Sequence, residues 1–373
     1  MIPVNTPKLD GNEEKYLLEC IRTGWVSSEG PFVTKFENEF SAYIGKKHGI
    51  AVANGSGALD IAVKACGICH GDEVIMPTFT IISPAQSVVR QGGIPVLVDS
   101  CIDTWNMDVS QIEHKITSKT KAILVVHIYG LPADMDPIIN LAKKYNLKII
   151  EDAAEMHGQT YKGKKCGFFG DISIFSFYPN KHITTGEGGM ILTNDDLIAE
   201  KCRALRNLCF QTKRRFVHED LGWNYRMTNL QAALGIAQLE KINESVKRKR
   251  EIGKLYNTLF AGIEGYNFPL GKTEYSENIY WVYGVIADKN APVAAEEIQK
   301  RLIEKKIGTR PFFWCMHEQP VFNKMKLFLT ERYPVAEYMA RNGFYLPSGL
   351  GLKNEEIITV AKALEDIIII LND

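Results

Sequence analysis

The chain has 373 residues, 45% apolar and 24% charged, and its 44 lysines and arginines balance 44 aspartates and glutamates. That length predicts two domains, three at most, and the composition suits a globular protein with a sizeable core. Zero net charge excludes a global pull toward nucleic acid or an anionic membrane, so an anionic ligand needs a local site.

The opening stretch MIPVNTPKLDGNEEKY is neither basic nor followed by an apolar core, and it does not read as a secretory signal. The longest apolar runs, such as Ile367 to Ile370, are too short to span a bilayer. The expectation is a cytoplasmic protein with no membrane span, whose eight cysteines are reduced.

Helices are expected at Asn12 to Arg22, Val33 to Ile44 and Ser56 to Lys64. Cys66-Gly67-Ile68-Cys69-His70 then matches the spacing of haem attachment. That chemistry needs export, so two small apolar residues at a helix end is the simpler account, and no metal site is expected. A short strand at Glu73 to Met76 ends on Pro77. A helix follows at Ala85 to Gln91, then a strand at Pro95 to Val98 ending on Asp99. Lys121 to Val126 is a continuous apolar run, as in a strand buried on both faces. Asp136 to Tyr145 is helical, Lys148 to Ile150 begins a strand, and Asp171 to Phe177 and Gly189 to Thr193 are strands. This alternation predicts an α/β fold with a mostly parallel, doubly wound sheet, whose ligands gather at the carboxyl ends of the strands. Beyond Leu230 the character changes. Gln231 to Leu259 is one amphipathic helical stretch with a break near Asn243, Trp281 to Ala287 a strand, and Ala295 to Lys305 and Glu355 to Leu371 helices. The expected division is a large domain over 1–250 and a smaller α+β domain over 251–373.

Three segments carry chemistry. Asn54-Gly55-Ser56-Gly57-Ala58-Leu59 brings two glycines and a serine into a helix start, where free N–H groups and the dipole attract anions. Its alternative is an ordinary N-cap with Ser56 as the cap. Glu151-Asp152-Ala153-Ala154-Glu155 places carboxylates at the end of a buried strand. They either partner a protonated ring nitrogen or form a cap or salt bridge. Finally, the strand ending at Phe177 leads to Tyr178-Pro179-Asn180-Lys181-His182 and a loop with three glycines between Thr184 and Gly189. A lysine held and partly desolvated there offers a neutral amine able to form a Schiff base; a solvated surface charge is the alternative.

Together with Gly222-Trp223-Asn224-Tyr225-Arg226-Met227-Thr228-Asn229, these motifs resemble the DegT/DnrJ/StrS family of sugar aminotransferases. The resemblance runs from Trp25-Val26-Ser27-Ser28 to Arg310-Pro311. The cues Ser27-Ser28, His127-Ile128-Tyr129-Gly130 and Asn180-Lys181 are similar to the members that aminate a GDP-linked 4-keto-6-deoxy sugar.

The resemblance implies a fold-type I aminotransferase dependent on pyridoxal 5'-phosphate. Lys181 would bond to the cofactor and shuttle the proton, and Asp152 would pair with the pyridine nitrogen. Gly55, Ser56 and Ser176 would hold the phosphate, with Glu155 near the ring oxygen and the reacting amine. Asn224 would reach the phosphate of a neighbouring subunit, making a homodimer with shared sites. Ser28, His218, Arg310 and His317 would approach the substrate. The implied donor is L-glutamate and the implied role is surface-polysaccharide synthesis. An aminotransferase for a UDP- or dTDP-linked keto sugar or a small phosphorylated ketone fits the same residues. Dehydratases of the family replace the lysine by histidine, which Lys181 opposes. A non-catalytic relative is opposed by the intact set of Lys181, Asp152 and Ser176. Two positions depart from the pattern: Ile81 stands where an aromatic stacks on the cofactor ring, and Tyr178-Pro179 where the GDP-sugar enzymes often carry Phe-Gly.

Overall fold

A computed structural model describes residues 1–211 and 214–370. Its strands, in chain order, are β1 (His48–Val52), β2 (Glu73–Pro77), β3 (Ile94–Val98), β4 (Thr120–Val126), β5 (Lys148–Asp152), β6 (Thr160–Tyr161), β7 (Lys164–Lys165), β8 (Ile172–Ser176), β9 (Gly189–Thr193), β10 (Tyr266–Asn267), β11 (Tyr283–Ala287), β12 (Arg310–Pro311) and β13 (Gly343–Leu346). Seven form one sheet in the order β1-β9-β8-β5-β4-β2-β3. Only β9 runs against its neighbours in that sheet, pairing antiparallel with both β1 and β8. The other pairings, β2–β3, β2–β4, β4–β5 and β5–β8, are parallel.

The apolar run of β4 shows why the sheet must be covered on both sides. Ala122, Leu124 and Val126 join one hydrophobic core, while Ile123 and Val125 join the core on the opposite face. Helices supply much of the cover, as in the crossovers from β2 to β3 (Ser83–Arg90) and from β4 to β5 (Met135–Tyr145), whereas β5 connects to β8 through the β6–β7 hairpin. β1 escaped the sequence reading: its five residues, HGIAV, are too short to show a period.

The second sheet, β10-β11-β13-β12, is antiparallel and packs on a third core that includes Ile252, Tyr256 and Phe260. The expected helical stretch breaks at Lys241, two residues from Asn243. Helix Asn229–Glu240 starts with a capping box between Thr228 and Gln231, and helix Ile242–Leu259 follows at once. Residue 250 therefore lies inside an unbroken helix that joins both regions. The N-terminal residues also side with the smaller sheet, since Ile2 pairs with Ile307 and Ser348 N–H donates to the Val4 carbonyl. The final helix is Asn354–Ile370; Leu371, its expected last residue, lies outside the described residues. Among the described residues, no helix is long and apolar enough to cross a membrane.

Candidate active site

Several parallel strands end at one cavity of about 620 Å³, and its lining comes from both sheets. β1 is followed by Asn54, whose extended backbone (φ −168°) starts helix Gly55–Ala65 and whose side chain accepts from Gly57 N–H at 2.8 Å. Asn54, not Ser56, is thus the cap. Ser56 is left free to meet the Ser83 hydroxyl at 2.7 Å. The helix start fits tightly against the end of β8: a Cβ on Gly55 would sit 2.8 Å from the Cβ of Ser176. One on Gly189, the first residue of β9, would sit 2.6 Å from the Asn54 carbonyl oxygen. Glycine is required where backbones approach this closely.

Asp152 is the last residue of β5, paired in register with Ile174 of β8. Its Oδ1 accepts from Ala154 N–H at 3.0 Å, the one hydrogen bond of its side chain among the described residues. Burial raises its pKa to about 6. Glu155 is also buried, and its Oε2 accepts from Tyr129 N–H at 2.7 Å. Tyr129 holds a left-handed backbone (φ 59°), which costs energy for a non-glycine residue and persists where surrounding contacts enforce it. Here those contacts are Glu155 and the Phe313 N–H, which donates to the Tyr129 hydroxyl at 3.0 Å.

Lys181 sits in the loop joining β8 to β9. Phe177 N–H donates to the Gly188 carbonyl at 2.9 Å and Thr185 N–H to the Phe177 carbonyl at 3.0 Å, closing the loop. The Lys181 side chain is only 10% exposed, with Nζ 4.0 Å from Glu155 Oε1 and 3.9 Å from the centroid of the Trp281 ring. Burial pulls the lysine pKa down and pushes Glu155 up to about 8, each opposed by the charge of the other. Burial thus favours the neutral amine, the form that a nucleophile or general base requires, against the pull of the neighbouring carboxylates.

The residues fit pyridoxal phosphate. The first N–H groups of a helix have no partner within it, and those at Gly55 and Ser56, with the hydroxyls of Ser56, Ser83 and Ser176, form an anion cradle. A buried carboxyl with one hydrogen bond, Asp152, suits a cationic ring N–H. The amine of Lys181 lines the same cavity.

Gly55, Ser56, Ile81, Asp152, Glu155, Ser176 and Lys181 all line this space. Arg310 lines an adjoining cavity of about 310 Å³ that shares Tyr178, Asn180, Trp281 and Tyr345. Ser28, His218 and Asn224 lie outside both, and Asn224 is exposed. His218 donates from Nδ1 to the Leu208 carbonyl at 2.7 Å. His317 is buried between the Thr78 hydroxyl (2.8 Å) and Glu337 (3.0 Å), with both ring nitrogens engaged, and does not reach the cavity. Sequence reasoning missed Ser83, Trp281, Phe313 and Tyr345 as lining residues. No spacing marks them, because three of the four arrive from the C-terminal third of the chain by tertiary packing.

The model of the DegT/DnrJ/EryC1/StrS aminotransferase family matches residues 7–365. The chain is 41% identical over 368 residues to the GDP-perosamine synthase of Escherichia coli O157:H7, covering 98% of each. It is 42% identical to that of Caulobacter vibrioides, covering 99% of this chain and 98% of the relative. Among solved structures, S. venezuelae DesV in complex with a ketimine intermediate superposes with a TM-score of 0.88 at 31% identity, over 96% of this chain and 94% of that one.

Proposed function

The chain belongs to the DegT/DnrJ/EryC1/StrS aminotransferase family and is a pyridoxal-phosphate-dependent aminotransferase, and on that premise we propose that it converts a GDP-linked 4-keto-6-deoxy sugar to the 4-amino sugar with L-glutamate as donor. The observation that carries the chemistry is the buried Lys181 amine, set beside Glu155 in the cavity that also holds Asp152 and the helix start at Gly55. The choice of a GDP-linked sugar is supported by similarity to two GDP-perosamine synthases along essentially the whole chain.

When bound, pyridoxal phosphate supplies a ring that withdraws electrons from the carbon next to the reacting nitrogen. The chain's residues do the rest. Gly55 and Ser56 N–H groups and the Ser176 hydroxyl would fix the phosphate. Asp152 would accept the ring N–H and so keep it protonated. Lys181 would hold the cofactor through its amine and, with that amine free, would serve as the acid–base group that accepts and returns the proton. Glu155 keeps a proton near that amine. Phe313 and Tyr345 line the cavity from the C-terminal side.

In this reading the working unit is a homodimer in which Asn224 reaches the partner's cofactor phosphate; its exposure in one chain supports this. The large domain over 1–250 carries the cofactor, and the smaller one over 251–373, together with the first residues of the chain, closes the cavity. The eight cysteines are free thiols, which suits work in the cytoplasm.

The test is an assay of purified protein with glutamate and a panel of GDP-, UDP- and dTDP-linked 4-keto sugars plus simple keto phosphates. Amination of the GDP-linked sugar with the highest kcat/KM is expected; preference for another member of the panel refutes the substrate. Lys181→Ala is expected to abolish turnover, and wild-type turnover in that variant refutes the catalytic assignment.

A further inference from the structure

Lys181 has a further close neighbour from the C-terminal region. Trp281, two residues before β11, lies with its ring centroid 3.9 Å from the lysine Nζ. The tryptophan is 3% exposed and is held at several points. Its Nε1 donates to the Asn180 carbonyl at 2.9 Å. Its own carbonyl accepts from Lys249 Nζ at 2.7 Å. Its ring packs against Tyr129 and is stacked near Phe313, with centroids 5.8 Å and 6.5 Å away. The indole cannot turn from the amine without losing the Asn180 hydrogen bond and its packing on Tyr129 and Phe313.

Several titratable groups surround the amine. Glu155 and Asp152 approach from the end of β5, and both attract the ammonium. His157 and His182 are buried beside the loop, with burial favouring their neutral forms. Tyr129 and Tyr345 carry hydroxyls that burial keeps protonated, and Lys249 lies behind Trp281. As Glu155 and Asp152 take up protons, their pull on the ammonium fades. The indole's attraction for a cation does not depend on pH.

We propose that Trp281 is a positioning residue for Lys181, its indole face holding the amine in place and supplying an attraction for the ammonium that no proton uptake can switch off. The proposal rests on Lys181 being the reacting amine, but its test does not depend on turnover.

Competitive acetylation of the cofactor-free protein with acetic anhydride across a pH series, followed by mass spectrometry of the Lys181 peptide, reads the pH at which this amine is half deprotonated. Trp281→Phe and Trp281→Leu both lose the hydrogen bond to Asn180, so the difference between them isolates the ring face. The half-point is expected to fall from wild type to Phe to Leu, by about half to one and a half pH units for leucine. An unchanged or higher half-point in the leucine variant overturns the proposal, since simple loss of packing would admit water and raise it. If the leucine variant does not fold by circular dichroism, the comparison of phenylalanine with wild type decides in the same way. Full turnover in Lys181→Ala would instead mark failure of the underlying catalytic reading.

Discussion

Replacing Lys249 with methionine measures what burial does to a cation in this fold. Lys249 is 2% exposed, and its Nζ donates to the carbonyls of Trp281 (2.7 Å) and Ser348 (2.6 Å). Among the described residues it forms no ion pair, and burial lowers its pKa from 10.5 to about 7. The unfolded chain keeps that proton up to about pH 10.5, whereas the folded chain gives it up near pH 7. Between those values the unfolded state binds more protons, so stability rises with pH. The slope approaches about 1.4 kcal/mol per pH unit, and the gain between pH 7 and pH 9 is about 2 kcal/mol. Methionine keeps the bulk and cannot titrate. It also strands two buried carbonyls, at a cost of about 1–3 kcal/mol each that does not vary with pH. Urea unfolding of cofactor-free wild type and Lys249→Met, side by side at pH 7, 8 and 9, cancels every other titrating group. The stability gap is expected to widen by about 2 kcal/mol over that range. Parallel pH profiles would refute a buried cation held by carbonyls alone, without an ion pair.

Gly55→Ala puts a Cβ 2.8 Å from that of Ser176 and should loosen the cradle by about 1–3 kcal/mol, read as roughly five- to hundredfold weaker cofactor retention after gel filtration; unchanged retention contradicts the cradle. Cofactor retention should also weaken as pH falls through about 6, where the Asp152 carboxyl takes up a proton and can no longer accept from the ring N–H. Asp152→Asn should retain less cofactor and lack that inflection. Ile81 lines the cavity and is 47% exposed, so Ile81→Phe should tighten retention by about two- to tenfold through ring stacking; an equal or weaker affinity means the side chain does not face the ring. Asn224→Ala and Lys181→Ala should each lose activity alone and recover it when mixed, because one site of the mixed dimer is then intact. A fully active monomer would exclude a shared site.

The amino-acid sequence by itself determined most strands of the large sheet, though not β1, and the chemistry at their ends. Apolar runs such as Lys121 to Val126 must be buried on both faces, which requires a parallel sheet with helices on both sides. Such a sheet brings its strand ends together, so Gly55, Asp152 and Lys181 were legible as one group from local signals. The cap at Asn54 was misplaced by two residues because Asn54, Ser56 and the glycine between them are all compatible with a helix start. Only the extended backbone at Asn54 decides between them. His317 looked like a substrate contact, and only its placement between Thr78 and Glu337 shows both nitrogens occupied. Trp281, Phe313 and Tyr345 had no local signal at all. They follow Lys181 by 100 residues or more, and what brings them to its amine is the packing of the second sheet against the first. Local periodicity reports which face of an element is buried, but not what it is buried against, and the environment that sets the protonation of Lys181 belongs to the second kind of information.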